Sequence, residues 1–185
     1  MAAPTITWSE SDEGTAISEP LDNGSKENGQ TTTAKDIYIR HDASNQLTAC
    51  KFWIGEYSGD YVSDGGSATS ALDISEILAW GDGAITEQFG GFMVHMDDPF
   101  TTWPTVGDKN TAQYGVFRTG VGDSAENGIT LAKEMSTTMT QDGVIPADGS
   151  HVPNPHFQCQ IHIPLVEDTA GVRLFDQKLR FTYTS

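Results

Sequence analysis

The chain has 185 residues and a mass of 20.0 kDa, the size of a single domain. Lys and Arg total 10 against 26 Asp and Glu, a formal charge of −16, so a nucleic-acid backbone or an anionic lipid surface would repel it and neither is expected as a partner. Charged residues make 19% and hydrophobic residues 37% of the chain, with 19 Gly and 8 Pro, a balance that excludes a disordered tail or a helical bundle and fits a turn-rich all-β protein.

Thr5-Ile-Thr-Trp8 alternates polar and apolar residues as a half-buried strand does, and Ser9 to Gln30 then turns acidic, Gly-rich and Asn-rich, reading as a long connection or a weak edge strand. Within Ala34 to Asp42, Ile37, Ile39 and His41 share one face of a predicted strand, while Asp36, Tyr38, Arg40 and Asp42 share the other. A turn at Ala43 to Gln46 leads into Leu47 to Ile54, where Cys50, Phe52 and Ile54 oppose Ala49, Lys51 and Trp53, and the two strands read as a hairpin. The stretch from Gly55 to Pro153 reads as a loop-rich middle within one domain spanning 1–185. It holds one segment of helical spacing, Asp73 to Trp80, with Asp73 as N-cap and Gly81 as stop, and short strand candidates at Phe89 to Met96, Tyr114 to Thr119 and Gly128 to Met135.

Pro155 to Pro164 alternates cleanly, with Phe157, Cys159, Ile161 and Ile163 predicted inward and His156, Gln158, Gln160 and His162 on a wet face. From Val172 to Thr184 the pattern resumes with Leu179, Phe181 and Tyr183 out of phase with Val172 and Leu174, which calls for a bulge near Asp176-Gln177. The expected architecture is an antiparallel β-sandwich of at least six strands with enlarged middle loops and one short helix. Its expected core includes Ile37, Ile39, Cys50, Phe52, Phe157, Cys159, Ile161 and Phe181.

Chemistry-bearing patterns are sparse. His95-Met-Asp-Asp98 offers imidazole and carboxylate, but His95 and Asp97 share a strand face without a second histidine at metal-site spacing. His156 and His162 lie about 20 Å apart along one strand, too far to hold one ion. No nucleophile elbow, His-Glu-x-x-His, phosphate loop or Gly-x-Gly-x-x-Gly is present, so no catalytic residue, metal or cofactor is expected. Cys50 and Cys159 match no zinc spacing, are too few for a disulfide scaffold, and are expected reduced. Exposed aromatics such as Trp53, Tyr57 and Tyr61, with Asp60 and Asp64 nearby, fit a carbohydrate-binding module, but fit a protein interface better.

No apolar run reaches the roughly 20 residues of a membrane span, and Met1-Ala-Ala-Pro-Thr5 lacks the parts of a signal peptide, so a soluble protein made in the cytoplasm is expected. Thr31 to Asp42 and Leu47 to Trp53, preceded by Asp22-Asn-Gly-Ser25, resemble the opening of immunoglobulin-like modules, with His41-Asp42-Ala43 in place of Asn-x-Gly. Ile161 to Pro164, Val172 to Asp176 and Phe181 to Thr184 are similar to the closing hairpin of tail and baseplate proteins of tailed bacteriophages. The resemblance implies a non-enzymatic virion subunit, in the tail or baseplate or alternatively decorating the capsid, made in the host cytoplasm. Its partners would be other virion proteins and copies of itself. The partner-binding candidates are Tyr38, Arg40 and Trp53, of which Arg40 is suited to pair bidentately with a neighbour's carboxylate or with Asp36 or Asp42 of its own chain.

Overall fold

The computed structural model describes residues 3–18, 21, 23–24, 26–58, 62–63, 66–67, 70–82, 91–96, 114–149, 153–165 and 173–184. Strands and helix follow in the order β1 (Ile6–Ser9), β2 (Lys35–His41), β3 (Leu47–Glu56), β4 (Val62–Ser63), β5 (Gly66–Ser67), α1 (Ser70–Asp82), β6 (Gly91–His95), β7 (Tyr114–Val116), β8 (Ile129–Thr130), β9 (His156–His162) and β10 (Phe175–Tyr183). They form a five-stranded antiparallel sheet in the order β1-β2-β9-β6-β7, a three-stranded antiparallel sheet β10-β3-β8, and the small pair β4-β5. The protein is therefore all-β with one short helix, as its composition and alternation imply.

The pairing differs from expectation at both ends of the chain. β2 and β3 are not a hairpin: β2 lies between β1 and β9, whereas β3 lies between β10 and β8, so Ala43 to Gln46 crosses from one sheet to the other. β9 and β10 are likewise parted, one in each sheet. Alternation reports which face of a strand is buried, and the same pattern arises whether a short connection folds back within a sheet or steps across the core.

The two sheets share a core in which Phe52 of β3 is the central ring. It sits 4.9 Å from Phe157 of β9, 5.4 Å edge-on from Phe117, 6.0 Å from Trp8 of β1 and 6.3 Å from Phe92 of β6. Ile37, Ile39, Cys50, Phe52, Phe157 and Cys159 are buried as expected. Ile161, near the end of β9, and Phe181, on β10 at the edge of its sheet among the described residues, are only partly buried. The middle of the chain supplies much of this core through Ile77, Phe92, Val94, Phe117, Leu131 and Met135.

The bulge lies on β3, not near Asp176-Gln177. Arg180 pairs with Lys51 but Thr182 pairs with Thr48, so Ala49 and Cys50 together oppose Phe181, and Ala49 takes the positive φ of 51°. The extra residue lets both Leu47 and Cys50 face the core. β10 needs no bulge of its own because it begins at Phe175, after Leu174.

Helix α1 is longer than Asp73 to Trp80, with Asp73 inside its first turn and Gly81 inside its last. Gly81 serves packing, since a Cβ there would come within 1.9 Å of the Phe117 carbonyl oxygen. Gly91, at φ +72°, opens β6 close to the helix, where a Cβ would meet the Ile77 carbonyl at 2.6 Å. These two glycines let α1 lie against the five-stranded sheet and bury Ile77 completely. Among the described residues no helix is long and apolar enough to cross a membrane.

Candidate functional site

The three partner-binding candidates fall on two surfaces. Ile37, Ile39 and His41 of β2 and Cys50, Phe52 and Ile54 of β3 point into the shared core, so Tyr38 and Arg40 lie on the outside of one sheet and Trp53 on the outside of the other. Each already has a contact within the chain. Tyr38 stacks on His156 of β9 at 4.5 Å with 7° between the planes. Arg40 donates to the Gly14 carbonyl at 2.6 Å and to Glu13 at 3.2 Å, not to Asp36 or Asp42. Asn154, itself 1% exposed, donates to Glu13 and to Asp12, so Arg40 and Asn154 together clamp the turn after β1, where Glu13 takes a φ of 54°. Trp53 carries the Lys178 ammonium 5.0 Å from its ring centroid.

The histidines expected on a wet face are buried, His156 at 8% and His162 at 4% exposure. Tyr38 covers the first, and the Thr31 hydroxyl, 2.9 Å from Nδ1, meets the second. Burial holds the His162 imidazole below its ordinary 6.5. His95 of β6 is also buried, at 1% exposure, while Asp97 and Asp98 lie outside the described residues, as do Tyr61, Asp60 and Asp64. Among the described residues no group of His, Cys, Asp and Glu is placed to hold a metal. Cys50 and Cys159 are free thiols facing the core; burial pushes the first up to about 11 and the second to about 12, far from a reactive thiolate.

Two features lay outside the reach of the sequence reading. The first is the flank of β10. Ile54 and Cys50 donate to Gly122 and Gly143, and Cys50 accepts from Leu131, so these β3 residues turn their backbone groups towards the β8 side. By alternation Lys51, Trp53 and Gly55 face β10 and bond Arg180, Lys178 and Asp176, their register partners. Phe175, Gln177, Leu179, Phe181 and Tyr183 therefore aim their N–H and C=O groups away from the sheet, where no partner meets them among the described residues. The nine-residue β10 is a long edge beside β1 with four residues and β7 with three.

The second feature is a partly open cavity of about 360 Å³ between the sheets, where β1 and β2 face the start of β10. Trp8, Ile37, Tyr57 and Phe175 give it apolar and aromatic walls; Asn23, Arg173, Asp176 and Gln177 give it polar ones. Its residues come from five separate stretches of chain, which no local pattern could join. No protein-family model matches the chain, and no curated protein matches it.

Proposed function

We propose that this chain is a non-enzymatic structural subunit of a tailed-bacteriophage virion, placed in the tail or baseplate, built as an immunoglobulin-like β-sandwich and working through protein–protein contacts. The resemblance of its two ends to virion proteins, in sequence though not in hairpin pairing, supports the placement, and the β10 edge, unpaired among the described residues, carries the mode of action. Such an edge offers a row of ready hydrogen-bonding groups to an incoming strand. The partner along this edge is a second copy of the chain. Antiparallel pairing of two β10 strands about Gln177 sets Asp176 against Lys178 and Phe175 against Leu179, and by symmetry repeats both pairs. Trp53 and Lys178 flank this edge on the outer face and belong to the same surface, whereas Tyr38 and Arg40 would serve a different neighbour.

The formal charge of −16 opposes association at long range, so short-range strand pairing and apolar contact have to overcome it. Imaging of an intact particle that contains this protein tests the placement. Many symmetric copies in a tail or baseplate, joined along β10, are expected; copies on the capsid surface would make it a decoration protein, and absence from purified particles would end the virion reading.

A further inference from the structure

We propose that the outer face of the three-stranded sheet, at Lys51, Trp53 and Arg180, docks an acidic peptide segment of another protein, a contact separate from the β10 pairing and independent of the virion placement. In a chain with 10 Lys and Arg against 26 Asp and Glu, Lys51, Lys178 and Arg180 stand together here. Lys51 lies directly opposite Arg180 on the neighbouring strand, and Lys178 follows in the next row, opposite Trp53. Like charges set opposite each other weaken a sheet, so this pair opposes the fold in a chain otherwise rich in acids. A local rule broken without gain to the fold marks a face kept for a ligand, and the ligand that relieves two cations is an anion.

A piece of acidic peptide from the same chain already touches this face and indicates the ligand. Arg180 Nη1 donates to the Ala125 carbonyl and to the Glu126 carboxylate, each at 3.2 Å, and the Lys51 ammonium donates to the Glu126 carbonyl at 3.2 Å. The two cations thus hold two successive peptide carbonyls and one carboxylate. The Glu126 side chain is 84% exposed and that of Arg180 50%, so this ion pair is weak, and a second carboxylate can displace it or join it at the remaining guanidinium donors. Trp53 adds apolar area beside the pair, with Lys178 over its ring. Pairing of two β10 strands sets Lys178 against Asp176 of a second copy and leaves Lys51 and Arg180 open.

Fluorescence anisotropy of labelled hexaglutamate in about 0.1 M salt tests the assignment; the Debye length there is about 10 Å, so the distant carboxylates of the chain are screened. Saturable one-site binding is expected, weakened about threefold by Lys51→Gln or Arg180→Gln and about tenfold by both together. Glu126→Gln should strengthen it about twofold, because a competing carboxylate is gone. The Lys51→Gln and Arg180→Gln proteins should melt no lower than the parent, since each loses one of two opposed charges, and Gln177→Pro should bind the peptide as the parent does. Absence of saturable binding would overturn the proposal, as would binding unchanged in the double variant, or lost in Gln177→Pro, which would move the peptide to the β10 edge. Tighter binding of hexagalacturonate, which carries its carboxylates on a sugar chain, would overturn it in favour of an acidic polysaccharide.

Discussion

Single residues here behave according to what covers them, and His162 is the clearest case. Its imidazole is buried and held below 6.5, so the folded protein resists a proton that the unfolded chain accepts as pH falls through that value. Stability contributed by the neutral ring is whole above about pH 6.5 and declines below it, until the folded value is also passed. The lowered carboxyls stay ionised through this window: Asp42 by the Thr5 N–H, and Asp123 because hydrogen bonds from Gly120, Asn127 and Ser124 outweigh its desolvation. Thermal melts between about pH 7.5 and 5.5 should fall on acidification, and less so for His162→Gln. Equal pH dependence of the two proteins would contradict the role given to His162. Sequence alternation placed this side chain on the correct outer face but could not foresee Thr31, 131 positions away, lying over it.

At the level of elements, alternation located the main strands and much of their inward faces. It could not say which strands share a sheet, because β2 and β3 present the same pattern to the core from opposite sides. It also assigned the out-of-phase aromatics of β10 to a bulge in their own strand, whereas the extra residue sits opposite them, at Ala49. Gly81 illustrates the same limit: a glycine near a helix end reads as a stop signal, yet its place here is a contact with the Phe117 backbone. Gly81→Ala would force α1 away from that carbonyl, an overpacking expected to cost about 1–3 kcal/mol despite alanine's better helix propensity. Denaturant unfolding measures it, and a neutral or stabilising effect would show that the helix is free to move outward.

For the whole molecule, composition and charge excluded nucleic-acid and membrane partners as expectations, while the two surfaces with most functional content came from tertiary structure. Tyr38, Arg40 and Trp53 were legible as outward-facing residues; their separation onto two sheets, and a β10 flank that no described residue pairs, were not. The β10 edge and the net charge of −16 pull in opposite directions, which makes self-association sensitive to salt: screening should strengthen it, with the Debye length falling to about 10 Å at 0.1 M.

Sedimentation velocity of the parent protein and of Gln177→Pro, across a salt series, tests the assembly claim most directly. Proline there removes an N–H that points away from β3 and so spares the β10–β3 ladder, and Leu179→Pro, opposite Phe175 of the second copy, repeats the test two residues along the same edge. The expected result is a parent protein that associates into discrete oligomers as salt rises, with both folded variants remaining monomeric. A parent protein that stays monomeric at every salt concentration, or proline variants that associate as well as it does, would contradict assembly through β10.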